Sequence, residues 1–333
     1  MTLTCVALGL DHRHIYGMTE NMQKAGVNCL GYWTQGTPET LSGFVQRFPE
    51  LKRFERLEDA LECGADLALI SAIPADRADL SLRAMAHRMD VMSDKPGCTT
   101  LAQLAQIKAA VAETGRIWSV NFSERFETAV STRASELVAA GAIGKVVQTV
   151  GLGPHRMNRN SRPDWFFKKE RIGGILTDIA SHQIDQFLHY TGSKSAEITH
   201  AFTANYANPK DPDLQDFGEI NLKSDQGTGY IRVDWFTPDA LPNWGDGRLT
   251  ILGTEGYLEL RKYVDVGGVE GIDHLILVNG TRCEKIDASD AGLPYFARLA
   301  HDIKHRSETA MRQSHCFTVM ELALRAQAMA DAQ

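Results

Sequence analysis

An aspartate and a histidine stand four residues apart in Gly173-Gly174-Ile175-Leu176-Thr177-Asp178-Ile179-Ala180-Ser181-His182-Gln183-Ile184-Asp185. On one continuous helix that spacing puts both side chains on the same face, one turn apart. The two glycines before them let another backbone or a ligand come close. A carboxylate one turn from an imidazole fixes its tautomer and raises its basicity, so the pair can exchange a proton with a substrate near neutral pH. On an arbitrary helix the same residues, with Asp185 and His189, form a solvated polar stripe. Lys95, in Asp94-Lys95-Pro96, is the other residue with chemical reach.

The elements that must position these groups begin almost at the first residue. Cys5–Leu10 is a short apolar run that reads as a buried parallel strand, a helix of about Ile15–Ala25 follows, and Gly26–Trp33 is the second strand. Asp66–Pro74 gives another apolar strand, a helix runs through Leu80 to His87, and Asp90–Ser93 is the next strand. Strands that alternate with helices and are buried on both faces imply a doubly wound sheet with its ligand at the strand carboxyl ends. Lys95 falls at that edge, within reach of a nicotinamide ribose and a substrate hydroxyl. The plain alternative is a solvated lysine in a turn, with Pro96 opening a helix.

The pattern continues through a helix of about Leu101–Thr114 and the strand Trp118–Phe122, after which the texture changes. A helix of roughly Phe126–Ala140 stops at Gly141, and Lys145–Val150 is a strand by its β-branched content. The Asp/His helix is expected over about Gly174–Tyr190, with Gly192 as its stop. From about Glu197 the strands alternate apolar and polar: Ile198–Tyr206, Gly218–Lys223, Gly229–Phe236, Leu249–Arg261 and Leu275–Val278. One face is buried and the other wetted, as in antiparallel sheet. A helix of about His315–Ala332 closes the chain.

A chain of 333 residues with 43% hydrophobic content buries a large core and divides into two domains. A net charge of −7, without a basic block or interleaved aromatics, argues against nucleic acid and an anionic membrane as partners. The six cysteines show no metal-ligand spacing and read as small buried thiols. The N-terminus enters a strand directly, with no basic segment or cleavage site and no apolar run of membrane length, so a cytoplasmic protein is expected.

The motif order is informative as a whole. A nucleotide-binding strand with its glycine, Asp94-Lys95-Pro96, Val120-Asn121-Phe122-Ser123-Glu124-Arg125-Phe126, Gly141-Ala142-Ile143-Gly144-Lys145 and Gly173-Gly174…Asp178…His182…Asp185 together resemble the glucose-fructose oxidoreductase/inositol dehydrogenase/MocA (Gfo/Idh/MocA) family of NAD(P)-dependent dehydrogenases. The likeness spans nearly the whole chain. Asp94-Lys95-Pro96 stands where that family has Glu-Lys-Pro. The resemblance implies catalytic roles for Lys95, Asp178 and His182, and a cofactor bordered by Gly9, Leu10, Asp11, His12, Thr34, Ser71, Ala72, Ile73, Pro74, Asp94, Lys95 and Asn121. His182 would take the proton of a substrate hydroxyl while the carbon bearing it passes hydride to the nicotinamide. Lys95 would hydrogen-bond the developing oxygen, and Asp178 would orient His182.

Two positions depart from a standard dinucleotide site. Where Gly-x-Gly-x-x-Gly would place three glycines the chain has Gly9-Leu10-Asp11-His12-Arg13-His14, so Asp11 and His14 replace the second and third. A carboxylate there repels phosphate, while Asp11 as a helix cap and His12 or His14 as a phosphate contact would accommodate it. The acidic residue that binds the adenosine ribose of NAD falls at Thr34, which leaves both NAD and NADP open. Before the Asp/His helix, the stretch His155–Phe167 is rich in groups for polar ligands. In the family this region contributes to the substrate pocket, and Arg156, Arg162 and Trp165 suit a sugar or polyol, beside Lys95, Asp178 and His182; the alternative is a basic surface loop pinned by its aromatics. His155 fits either ligand contact or packing. A metal on Asp178, His182 and Asp185 with His12 or His155 lacks a second tight ligand cluster, so none is expected.

The expected fold is α/β: a Rossmann-type doubly wound parallel sheet over residues 1–122, then an α+β domain over 123–333 with a large open, mainly antiparallel sheet. That sheet would bind substrate and, through its uncovered face, a sister subunit in a dimer or tetramer. The expected reaction is oxidation of a secondary alcohol of a sugar, inositol or related polyol. A glycosidase of the same family type, whose bound NAD oxidises the sugar only transiently, and a non-catalytic dinucleotide-binding regulator are the competing readings.

Overall fold

Six parallel strands form the frame of the first unit: β1 (Thr4–Leu10), β2 (Asn28–Trp33), β3 (Lys52–Arg53), β4 (Leu67–Ser71), β5 (Asp90–Asp94) and β6 (Trp118–Asn121). The structure, a computed structural model, describes residues 2–333. The strand order is β3-β2-β1-β4-β5-β6 and every pairing is parallel. Val6, Leu8, Leu69, Ile70, Val91 and Met92 are fully buried, as strands covered on both faces require. The order reverses between β1 and β4, the place where doubly wound sheets open a ligand crevice. This unit takes in residues 1–121 and the segments Glu170–Gly173 and Pro294–Met320.

The second unit comprises Phe122–Lys169, Gly174–Leu293 and Glu321–Gln333. Its sheet has eight strands: β7 (Val146–Pro154), β8 (Glu197–Ala204), β9 (Phe217–Lys223), β10 (Thr228–Asp234), β11 (Arg248–Gly253), β12 (Gly256–Arg261), β13 (His274–Asn279) and β14 (Cys283–Ile286). They lie in the order β14-β13-β12-β11-β7-β10-β9-β8, antiparallel except for the β7–β10 pair. One face is packed. Gly151 and Gly153 of β7 lie under Gln183, Gly229 of β10 under Phe187 and Gly218 of β9 under Leu176, each so close that a Cβ would collide. The same face carries the core of Val130, Ile143, Leu249, Ile251, Leu258, Leu260, Leu275 and Leu277. Residues of the other parity, among them Tyr230, Leu252 and Tyr257, remain partly or largely exposed.

Several expectations need correction. The Asp/His segment is two helices, Ile175–Asp178 and Ala180–Thr191, with the break at Ile179. Residues 126–140 likewise divide into a short turn, Ser123–Phe126, and a helix, Ala129–Ala139. The stretch Leu249–Arg261 is a hairpin of β11 and β12 that turns at Thr254-Glu255, because Gly253 and Gly256 interrupt the alternation. β14 and the helix Pro294–His305 were not anticipated, although Tyr295, Phe296, Leu299 and Ile303 of that helix share one buried face. Pro96 opens no helix: the next one starts at Leu101 with Thr100 as its cap, accepting from Gln103 N. Among the described residues no disulfide joins the six cysteines, but Cys283 is exposed and Cys63 only half-buried.

Candidate functional site

At the β1–β4 crossover the first unit holds its loop by its own backbone. Gly9 has φ +74°, and a Cβ there would come within 2.5 Å of Ala72 Cβ, so the glycine serves the close approach of two chain segments. Asp11 N and His12 N both donate to Ser71 O, at 3.0 and 3.1 Å. Leu10 N donates to the hydroxyl of buried Thr34 at 3.2 Å, which gives that side chain a structural partner. Burial raises the Asp11 carboxyl to about 6, against the opposing pull of Arg77. Ile73 then leads into a single turn, Pro74–Asp76.

Asp94, at the end of β5, is the hub of this edge. It is fully buried, with Oδ2 2.7 Å from His12 Nδ1 and Oδ1 2.8 Å from His14 Nδ1. Ser71 Oγ and Arg77 Nη2 donate to Oδ2 at 3.0 and 3.1 Å, and Lys95 N to Oδ1 at 2.7 Å. Burial would raise this carboxyl, but Arg77, His14 and His12 outweigh it and hold the group well below the ordinary carboxylate range. An ionised carboxylate only accepts, so both imidazoles donate Nδ1–H and are left with Nε2 for other partners. His12, His14 and Asp94 are close enough to share a metal ion, yet each imidazole already hydrogen-bonds the carboxylate through its Nδ1. Lys95 is 5% exposed, which rules out the solvated turn lysine, and its carbonyl accepts from Arg77 Nη1 at 2.5 Å. Asn121, buried at the end of β6, is the strand partner of Asp94.

These positions suit a dinucleotide in one respect and not in another. The loop ends at the first residue of the helix His14–Lys24, whose N-terminal backbone N–H groups make a donor set for phosphate; burial lowers His12 to about 4, so this neutral ring, with its Nδ1–H given to Asp94, offers an accepting Nε2. Asp11 and His14 exclude the glycine-lined approach. The helix N-terminus is the part of this edge that suits a pyrophosphate.

In the second unit His182 sits in the first turn of Ala180–Thr191, buried, with the ring of Phe122 6.4 Å away edge-on. Asp178 ends the preceding helix and is also buried. That helix is pinned at its start, where Ile175 N donates to Gln215 Oε1 and Leu176 N to Gln327 Oε1, both at 3.1 Å. Gly174, φ +83°, lies against Gln327 where a Cβ would clash. The turn Ser123–Phe126 grips the His182 helix twice. Arg125 forms a two-pronged pair with Asp185, both bonds 2.6 Å, and Glu124 Oε2 accepts from Gln183 Nε2 at 3.0 Å. Lys262 Nζ, just past β12, donates to the same Glu124 oxygen at 2.5 Å and to Gln186 Oε1 at 3.3 Å. Burial would raise the Glu124 carboxyl, yet Lys262, His182 and His155 bring it down to about 2.

The stretch 155–167 is folded largely onto itself. Arg156 donates to the carbonyls of Pro238, at 2.8 Å, and Leu241. Arg162 donates to Met157 O at 2.9 Å and Arg156 O at 3.3 Å and lies over the rings of Phe166 and Trp235. Trp165 is half-buried beside Phe166. His155 accompanies Trp235 and Trp244, with Nδ1 3.0 Å from Gly153 O. Glu124, Gln183, Lys262 and Arg77 were not anticipated as parts of a site. For Lys262 a signal existed: Leu258, Leu260 and Lys262 share one parity, so a lysine continues the buried face of a strand.

A model of the GFO/IDH/MocA C-terminal domain matches residues 131–259. Over 98% of both chains the fold superposes on a candidate oxidoreductase from Erwinia carotovora atroseptica SCRI1043, 43% identical, with a TM-score of 0.95. The chain belongs to the Gfo/Idh/MocA family. Its likeness to scyllo-inositol 2-dehydrogenase (NAD(+)) of Bacillus subtilis (strain 168) is 25% identity over 264 residues, 76% of this chain and 72% of that one. Levoglucosan dehydrogenase, solved with NADH and levoglucosan, is 16% identical but shares the fold, with a TM-score of 0.80 over 100% of this chain and 98% of that one. In this Gfo/Idh/MocA chain Asp178 and His182 stand four residues apart on two helices, and His14, at the third glycine position of the fingerprint, is bonded to Asp94. Among the described residues no helix is long and apolar enough to cross a membrane.

Proposed function

We propose that the protein is an NAD(P)-dependent dehydrogenase that oxidises a secondary alcohol of a sugar, inositol or related polyol, with His182 as its acid/base. The observation that carries the reading is His182 itself: a buried imidazole on a helix braced through the next residue, Gln183, and through Asp185. Such bracing presents one ring in one direction, as proton transfer to a bound hydroxyl requires. Membership in an oxidoreductase family and the likeness to an inositol dehydrogenase supply the reaction class and the substrate class.

Bound dinucleotide supplies the hydride acceptor. Its phosphates would be held by the helix N-terminus at His14, and its border would run along Gly9–His12, Ser71–Pro74, Asp94, Lys95 and Asn121. His182 takes the hydroxyl proton, Asp178 orients the imidazole, and Lys95 is the cation assigned to the developing oxygen. Trp165, with the wall of His155, Trp235 and Trp244, would face a polyol ring, while Arg156 and Arg162 hold the loop that carries it. The half-exposed sheet face of Tyr230, Leu252 and Tyr257 would pair subunits in a homo-oligomer. A screen of polyols and sugar acids, followed at the nicotinamide absorbance with NAD and with NADP, tests the reading. Reduction of a dinucleotide by at least one polyol is expected; bound nucleotide without turnover across the panel contradicts it.

A further inference from the structure

Glu124 and Lys262 form an ion pair buried to 2% and 1% exposure, 138 residues apart in sequence, and the proposed chemistry does not use it. A buried ion pair is seldom justified by stability, since apolar residues of the same volume often do as well. Its surroundings point to another role. Three polar atoms beside the pair, Glu124 Oε1, Gln183 Oε1 and Gln186 Nε2, are buried without a hydrogen-bond partner. Gln183 and Gln186 follow His182 by one and four residues on its own helix, and both contact the pair. Two glycines of β7 make room for this: Gln183 lies where the Cβ atoms of Gly151 and Gly153 would be. The pair is therefore built into the support of the His182 helix.

We infer that Glu124, kept charged by Lys262, is a positioning residue for His182, fixing the rotation of its helix through Gln183 and placing a negative charge against which the imidazolium forms. The inference rests on the reading of His182 as the acid/base. Within this unit the charged groups on the elements packed around His182 are Asp178 on the preceding helix, Asp185 on its own helix with its partner Arg125, Glu124 on the Ser123–Phe126 turn, Lys262 after β12 and His155 after β7. Arg125 largely balances Asp185, at 2.6 Å. Lys262 balances Glu124 only at Oε2, which leaves Oε1 without a bond. Charge acts reciprocally: as His182 helps hold the Glu124 carboxyl down, the carboxylate favours protonated His182.

The test reads His182 itself, in the dinucleotide-free full chain, by following its imidazole carbon-bound proton through a pH titration by NMR, with His182→Gln to assign the signal. Glu124→Gln keeps shape and removes charge. It should lower the His182 midpoint by about one unit, while Glu124→Asp, which keeps the charge, should leave it near the wild-type value. Equal midpoints in wild type and Glu124→Gln, or the same drop in Glu124→Asp, overturn the inference. If Glu124→Gln does not fold, the wild-type titration decides: a midpoint no lower than an ordinary imidazole despite burial is expected, and one below it overturns the inference. Because the readout needs no substrate, it fails separately from the dehydrogenase assignment, which the polyol screen tests.

Discussion

His14 Nδ1 lies 2.8 Å from Asp94 Oδ1. One hydrogen bond thus ties the position where a dinucleotide loop would have its third glycine to the aspartate that replaces a family glutamate. His12 takes the other oxygen. The loop closes on β5 through side chains.

Removal of the Asp94 charge should therefore damage the fold. Asp94→Asn leaves Arg77, 1% exposed, without its buried counter-ion and is expected to cost about 3 kcal/mol, read as a lower urea midpoint. The folded carboxyl lies well below its ordinary value of 3.8, so this contribution is present above that pH and fades as pH falls further. The wild-type advantage over the variant should shrink in acid.

On the proposed cofactor loop, Asp11 should give dinucleotide affinity a pH dependence. Its carboxyl is raised to about 6, so it is neutral below that pH and charged above it. A charge near phosphate weakens binding, and the dinucleotide Kd should rise about threefold as pH increases through this range. Asp11→Asn should bind equally well on both sides, a difference that isothermal titration at two pH values reads directly.

Glu124 predicts an acid limb in stability. Its carboxyl falls from 4.5 to about 2 on folding, so the stabilisation is full above 4.5 and lost as pH drops toward 2. The difference corresponds to something on the order of 3 kcal/mol. Chemical denaturation of wild type and of the double variant Glu124→Gln/Lys262→Met, which buries no lone charge, should show a steeper acid loss in the wild type.

The exposed sheet face predicts self-association. Leu252 and Tyr257 are strand partners, 40% and 38% exposed. Leu252→Arg should move the sedimentation coefficient toward the monomer without changing the circular dichroism spectrum.

What could be read from the sequence was whatever depends on near neighbours. The parallel strands of the first unit and the Leu101–Thr114 helix follow from local apolar runs and caps, and residues at the strand ends, Ser71, Asp94 and Asn121, lie at the sheet edge where doubly wound folds gather ligands. Contacts remote in sequence were not legible. The break at Ile179 comes with the pinning of Leu176 N by Gln327, 151 residues on, and the Asp94 hub joins residues 82 apart in sequence. Nor does anything local reveal that loop carbonyls bind Arg156 and Arg162.

The most direct test of the central claim is the turnover of His182→Asn beside the wild type on the polyol that proves active, with dinucleotide affinity measured in parallel. The account predicts a loss in kcat of about a hundredfold or more with dinucleotide Kd unchanged. Wild-type turnover in His182→Asn would contradict it.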